Sequence, residues 1–250
     1  MKKFLFVDLD DTLFQTSKKC QDRDHLQPVA FLKDGAPISY TCDKQRDLFA
    51  MLAREMTLVP ATARNLDAFS RVDLPFDNHA VINYGGVILL PGGQPDPHWL
   101  AHTQAQMVQA HSGLQAIRQL IDAHATAQGM RGRARLVEDF GTPFYALIKD
   151  PDGDDNTLAH IETAVVKPWV AAAGCDYWIH RNGNNLAILP NSLNKLHAVT
   201  YLQQQFRTEF GSILSIGMGD SRSDAGFMTA CDYALLPQRS QLADVLRELT

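Results

Sequence analysis

Cysteines are few and form no close pair. Cys20, Cys42, Cys175 and Cys231 are widely spaced with no C-x-x-C motif, which argues against a disulfide framework and against a zinc ribbon. Reduced thiols are expected. The nine histidines are scattered, and none makes a helical zinc pair with a supporting Glu. No apolar run approaches the ~20 residues that cross a bilayer. Phe4 to Val7 is too short for the core of a signal peptide, so a cytoplasmic chain with no membrane partner is expected. Basic residues are not in excess: 23 Lys and Arg face 28 Asp and Glu, a net charge of -5. A nucleic-acid partner is not expected from that balance. Internal repeats and low-complexity tracts are also missing.

What remains is the composition of a folded protein, 45% hydrophobic and 20% charged over 250 residues, long enough for one enlarged domain or two modest ones. The apolar run Phe4 to Val7 reads as a strand buried on both faces of a parallel sheet, with Asp8 at its carboxyl end. A hairpin around Asp34-Gly35 is expected over 29–41. Asp43 is then the expected N-cap of a helix of about a dozen residues. Strands follow at 56–60 and at 81–82, the latter leading through Tyr84-Gly85-Gly86 to a further strand at 87–90.

Strong punctuation at Pro91-Gly92-Gly93 and Pro95-Asp96-Pro97 marks a boundary. Beyond it come a helix over 99–127, strands over 135–140 and 144–149 about Gly141-Thr142-Pro143, and a helix over 155–173. A hairpin over 177–189, turned on Asn182-Gly183-Asn184, completes an α+β block. After Pro190 the α/β alternation resumes with a helix near 193–206, a strand at 212–216, a loop at 217–223, a helix from Asp224 and a short strand at 233–236. The expected fold is α/β: a Rossmann-like, doubly wound parallel-sheet core formed by 1–90 and 190–250, with an α+β domain inserted at 91–189.

In such a sheet the ligand crevice lies outside the carboxyl ends of the strands. Three polar clusters immediately follow expected strands: Asp8-Leu9-Asp10-Asp11-Thr12, Ala61-Thr62-Ala63-Arg64, and Gly219-Asp220-Ser221-Arg222-Ser223-Asp224. If those strands are neighbours, Asp8, Asp10, Thr62, Asp220 and Asp224 converge. Crowded carboxylates repel one another unless a cation neutralises them, and a hard oxygen site suits Mg²⁺.

With these residues in this order the chain resembles the haloacid dehalogenase superfamily of phosphohydrolases. The segments that carry the resemblance are FLFVDLDDTL at 4–13, Thr62 after LVPA, Lys195, and GDSRSD at 219–224. The inserted block is similar in position and α+β pattern to the C2B caps of type IIB, Cof-type and sucrose-phosphatase-like members. Three positions depart from the usual pattern: Asp11 replaces a glycine, Thr62-Ala63-Arg64 replaces Thr-Gly-Arg, and Asn83-Tyr84-Gly85-Gly86 stands where many members have Asn-Gly-Ala.

The resemblance implies that Asp8 is a nucleophile forming an aspartyl-phosphate, and Asp10 a general acid and base. It also implies that Thr62 and Lys195 hold the phosphoryl group, and that Mg²⁺ is bound by Asp8, Asp10 through its backbone carbonyl, and Asp220, with Asp224 in support. Arg64 is a candidate for substrate phosphate. In the polar hairpin, Arg181, Asn184 and Asn185 are candidates for the rest of the substrate. The implied activity is a Mg²⁺-dependent phosphatase acting on a small phosphorylated metabolite, a sugar phosphate foremost. A phosphomutase or phosphotransferase using the same aspartyl-phosphate, and a catalytically weak binding module, are the alternatives.

Overall fold

The structure is a computed structural model that describes residues 1–20, 24–172 and 176–248. Cys175 and the expected helix end at Ala173 lie outside them. Among the described residues Cys20, Cys42 and Cys231 are free thiols, and no helix is long and apolar enough to cross a membrane. Contacts divide the chain into two units, one of Met1–Leu100 with Asn194–Thr250 and one of Ala101–Leu193. The first boundary falls at Leu100 rather than near Pro91, because Asp96 and Trp99 are tied into the first unit. Trp99 Nε1 donates to the Gly85 carbonyl at 2.9 Å, and its ring packs with the buried apolar side chains of that unit.

The first unit opens with β1 (Lys2–Val7). A three-stranded antiparallel sheet follows, made of β2 (Gln15–Thr16), β3 (Gln27–Phe31) and β4 (Pro37–Thr41), with β4 in the middle. Next come α1 (Asp43–Glu55), β5 (Thr57–Pro60), the short α2 (Leu66–Phe69), and an antiparallel pair, β6 (Ala80–Ile82) and β7 (Val87–Leu89). Asp43 is not the cap of α1. Cys42 takes that position with an extended backbone, and its N–H is satisfied by the Gln45 side chain at 3.0 Å. Asp43 lies in the first turn, where its charge meets the exposed N–H groups and Arg46.

Helix α3 (Pro97–Ala127) leads into the second unit. There β8 (Arg135–Asp139) and β9 (Thr142–Ile148) pair about a two-residue turn, Phe140-Gly141, both at positive φ. Thr142 and Pro143 therefore belong to the strand, and a register shift beside Pro143 absorbs its missing N–H. The expected helix over 155–173 is interrupted: α4 (Asp155–Ile161) passes through a wide π turn at Glu162–Val166 into α5 (Lys167–Ala172). Pro168 explains the wide turn, since proline cannot donate to the carbonyl four residues back and crowds it. β10 (Tyr177–Arg181) and β11 (Leu186–Pro190) form the expected hairpin, and its connection runs over Asn182 to Asn185, whose backbones bond each other in both directions. The sheet order is β10-β11-β9-β8, and Leu114, Ile117, Ile121, Leu158 and Ile161 cover its Ala146, Ile148, Leu186 and Ile188 face.

Back in the first unit, α6 (Lys195–Phe210) starts at the Asn194 cap and runs past Phe206. It is followed by β12 (Ile213–Met218), α7 (Ala225–Thr229), β13 (Tyr233–Leu235) and an unanticipated α8 (Gln241–Arg247). β12 and β5 pair in parallel with either side of β1, giving the order β13-β12-β1-β5. Alternation along β1 builds two cores at once. Phe4 and Phe6 pack with Val199, Leu202 and Phe206 of α6, while Leu5 and Val7 pack with Leu52 of α1 and Val29 and Ala30 of β3. Helices on both faces make this a doubly wound α/β sheet. The chain leaves β1 toward β5 and returns on the opposite side at β12, so the crevice at the carboxyl end of β1 is the ligand position that the topology provides.

Candidate active site

Asp8, Thr62 and Gly219 each follow a strand at the same sheet edge, and the ladder continues into them. The Asp8 N–H donates to Met218 O at 2.8 Å, Ala61 N–H to Val7 O at 2.8 Å, and Thr62 N–H to Val81 O at 2.8 Å. Sheet register therefore decides which side chains meet. Asp8, Lys195, Asp220 and Asp224 are all buried, with Asp224 wholly so.

Lys195 is the centre of this group. Its ammonium donates to Asp8 Oδ1 and to Asp224 Oδ1, each at 2.6 Å, and lies 5.8 Å from the Phe227 ring. Burial alone would lower its pKa, but Asp224 and Asp8 outweigh burial and hold it above the ordinary lysine range. The other oxygen of Asp224 accepts from the Ser221 N–H at 3.0 Å and from Ser221 Oγ at 2.6 Å. Asp224 thus uses both oxygens to fix the lysine and brace its own loop. A Cβ on Gly219 would crowd the Asp224 side chain, within 2.9 Å of its Cγ, so only glycine lets this carboxylate seat.

Thr12 lies between the other two acids, its hydroxyl 3.4 Å from Asp8 Oδ2 and 3.4 Å from Asp220 Oδ1. Oxygens of Asp8, Asp220 and Asp224 fall within 4.8 Å of one another. Burial pushes the Asp8 pKa well up, opposed by Lys195 and reinforced by Asp224 and Asp220. Burial likewise pushes Asp220 up to about 7, with Asp224 and Asp11 adding to the effect. With all three carboxylates ionised, one buried ammonium would leave two negative charges unbalanced, and the acids that meet here offer hard oxygen donors. The donor set fits a hard divalent cation.

Asp10 turns away from this cluster. Arg64 grips it with two parallel bonds, Nε to Oδ2 at 2.7 Å and Nη2 to Oδ1 at 2.8 Å. Arg64, a candidate for substrate phosphate, is thus engaged by a carboxylate. The Thr62 hydroxyl is buried and accepts from the Arg64 N–H at 3.2 Å. The cap of α2 is Asn65, whose side chain accepts from Ala68 N–H at 3.1 Å. Asp11, in place of the usual glycine, adopts the left-handed φ of 64° that glycine favours and pairs with Lys19.

The three remaining candidates lie in the second unit. Arg181 pairs with Asp155 at 3.2 Å and Glu162 at 3.1 Å. Asn184 accepts from the Asp150 N–H at 2.8 Å and donates to its carbonyl at 2.6 Å, and Asn185 donates to Asn182 O at 3.3 Å. Sequence reasoning does not single out Thr12, Ser221, Gly85 or Asn194 as site residues. Thr12 and Ser221 lie inside the two acidic segments, and that position is their only signal. Gly85 and Asn194 have none, because their role is a backbone contact: a Cβ on Gly85, at φ +98°, would overlap the Asn194 carbonyl, within 2.8 Å of its carbon.

No curated protein matches the chain by sequence. Solved structures do match in fold. Sucrose-phosphatase from Synechocystis, in complex with sucrose and phosphate, is 18% identical over 99% of this chain and 87% of that one, with a TM-score of 0.54. The trehalose-6-phosphate phosphatase C-terminal domain of C. albicans is 12% identical over 92% and 73%, with a TM-score of 0.60. An IMP-nucleotidase of Plasmodium falciparum is 10% identical over 99% and 67%, with a TM-score of 0.58.

The chain shares its fold with these solved phosphatases. Residues 150–236 match the family model described as sucrose-6F-phosphate phosphohydrolase. That segment contains the β10–β11 hairpin, Lys195, Asp220 and Asp224.

Proposed function

We propose that the chain is a Mg²⁺-dependent phosphomonoesterase that hydrolyses a small phosphorylated metabolite, a sugar phosphate, through an aspartyl-phosphate on Asp8. The observation that carries this reading is the buried Lys195 ammonium held between Asp8 and Asp224 beside a third carboxylate, Asp220. Lys195 opposes the cost of burial and favours the ionised Asp8 that attack requires. Asp8 and Asp220, with the Asp10 carbonyl, would hold the metal, and Asp224 would support it by fixing Lys195. When bound, Mg²⁺ supplies charge that neutralises the phosphoryl oxygens.

The reaction balances in two steps. In the first, an Asp8 carboxylate oxygen forms a bond to phosphorus as the bond from phosphorus to the sugar oxygen breaks, and the Asp10 carboxyl gives that oxygen its proton. In the second, Asp10 takes a proton from water as the water oxygen attacks phosphorus, releasing phosphate and restoring Asp8. Lys195 and the Thr62 hydroxyl stabilise charge on the transferring group, which is most of what this reaction asks of a protein. Arg181, Asn184 and Asn185 are assigned to the alcohol half. The match of the sucrose-6F-phosphate phosphohydrolase family model to 150–236 supports both that assignment and the sugar preference.

The test is phosphate release from a panel of sugar phosphates and other phosphorylated metabolites, with and without Mg²⁺, for the wild type and Asp8→Asn. Metal-dependent release, lost in the variant, is expected. An isomeric sugar phosphate as the product would replace hydrolysis with a mutase, and silence across the panel from the folded protein would overturn the phosphatase reading.

A further inference from the structure

We propose that Trp99 is a positioning residue for Lys195 and Thr62, acting through the turn Asn83–Gly85. The inference rests on the phosphomonoesterase reading, in which those two side chains hold the transferring phosphoryl group, and adds a residue to it. The turn has a demanding backbone. Asn83, Tyr84 and Gly85 take left-handed φ values of 51°, 54° and 98° in succession, and residues with side chains hold such a run only where their surroundings enforce it. Asn83 and Tyr84 are both buried.

Backbone bonds join this turn to one side of the site. Thr62 N–H donates to Val81 O at 2.8 Å, Tyr84 N–H donates to Thr62 O at 3.1 Å, and Asn83 N–H donates to Arg64 O at 2.8 Å. Close packing joins the turn to the other side. A Cβ on Gly85 would overlap the Asn194 carbonyl and lie 3.1 Å from the Lys195 nitrogen, so the backbone that starts α6 rests on Gly85. One turn therefore sets the spacing between the Thr62 and Lys195 backbones. Trp99 locks it: the buried indole donates to Gly85 O at 2.9 Å, and its ring lies 4.9 Å from that of Tyr201 on α6. Trp99, near the end of the first half of this unit, and Asn194, at the start of the second half, thus meet on the same residue. Without the indole N–H, Gly85 O loses this buried donor and the left-handed run is free to relax.

The experiment compares the wild type with Trp99→Phe, Tyr201→Phe, Gly85→Ala and the Trp99→Phe/Gly85→Ala double variant. It measures steady-state phosphate release from hexose 6-phosphates in Mg²⁺, inhibition by orthovanadate, and melting temperature. Tyr201→Phe keeps the ring beside Trp99 and removes only the 3.3 Å bond to Asp96, so it controls for packing around the indole. A wild-type chain carrying 3-benzothienylalanine at position 99, which has sulfur in place of the indole N–H, removes the donor at nearly constant volume and serves where Trp99→Phe does not fold.

When the donor is lost, kcat should fall about 5- to 30-fold while KM stays within about threefold. The vanadate inhibition constant should rise by a factor close to the loss in kcat, because vanadate resembles the transition state that Thr62 and Lys195 hold. Tyr201→Phe should keep both quantities within about twofold. In the Gly85→Ala background Trp99→Phe should cost less than about threefold, since both changes act on one contact. A lowered melting temperature with kcat and vanadate inhibition unchanged would overturn the proposal in favour of a structural role. A loss as large in Tyr201→Phe, or losses that multiply in the double variant, would overturn the route through Gly85 O. A wild type silent on every phosphate ester would sink the phosphatase reading and this inference together, whereas an active wild type with unaffected Trp99 variants sinks the inference alone.

Discussion

The Lys195 ammonium lies 2.6 Å from Asp8 Oδ1 although 187 residues separate the two in sequence. The pair joins the first strand of the chain to the helix that follows the inserted unit. It can form only when both halves of the split sheet are assembled.

Replacing Lys195 by Met should therefore cost stability as well as activity. The substitution leaves Asp8 and Asp224 buried without their shared cation, and breaking a buried pair in this way costs about 3–5 kcal/mol. A denaturant-unfolding free energy lowered by less than about 1 kcal/mol would contradict the bonding described for Lys195.

Asp8→Asn should separate activity from stability. Turnover should drop by roughly 10³-fold or more with the nucleophile gone. Burial and the two neighbouring acids make an ionised Asp8 costly in the metal-free protein. The neutral isostere should therefore unfold at an equal or higher temperature than the wild type near pH 7.5 without metal. A clear drop in melting temperature would mean that the bond to Lys195 outweighs that cost.

Stability should also depend on pH in a specific direction. Asp220 is pushed up to about 7 and Asp8 also lies above its usual range, while both titrate near ~4 in the unfolded chain. Between these values the folded protein holds more protons than the unfolded one, so these groups make stability fall as pH rises from about 4 to 7 and beyond. Melting temperatures of the metal-free wild type should lose ground to Asp220→Asn between pH 5 and 8. Added Mg²⁺ should raise the wild-type value more at pH 8 than at pH 5, because it binds the ionised carboxylates of the folded state. Calorimetry at fixed ionic strength checks both signs.

Gly85→Ala should damage the site from a distance. The added methyl would overlap the Asn194 carbonyl, at a backbone φ that alanine disfavours. Asn194 caps the helix whose first residue is Lys195. A loss of about 2–3 kcal/mol is expected from strain and displacement, with a fall in kcat of about 10- to 100-fold as Lys195 shifts. Gly35 also has a positive φ, but nothing lies within 4 Å of the position a methyl would take there. Gly35→Ala should cost about 1 kcal/mol and leave kcat unchanged, which makes it the control.

Much of the sheet is legible in the sequence because β1 and β12 are apolar runs closed by acids, a pattern local enough to read residue by residue. The split core and the antiparallel second unit follow from the change in pattern at either end of the insertion. The cap of α1 is not legible in the same way. Asp43 matches the usual capping residues by type, whereas the structure satisfies the first turn through the Gln45 side chain on Cys42. The break before α5 is written in Pro168, yet a proline alone does not say whether a helix stops, kinks or widens.

At the site, residue type and position after a strand are enough to nominate Asp8, Asp10, Thr62, Asp220 and Asp224. The acid spacing is set by sequence because neighbouring residues at a strand end cannot move far from one another. Partnership is decided only in three dimensions. Asp10 faces Arg64, 54 positions away, Asp224 commits its oxygens to Lys195 and Ser221, and Gly85 meets Asn194 through backbone atoms alone. Hydrogen bonds and close contacts of that range depend on sheet register and helix placement. Chain order carries no record of either, and they are set when the two faces of β1 are packed.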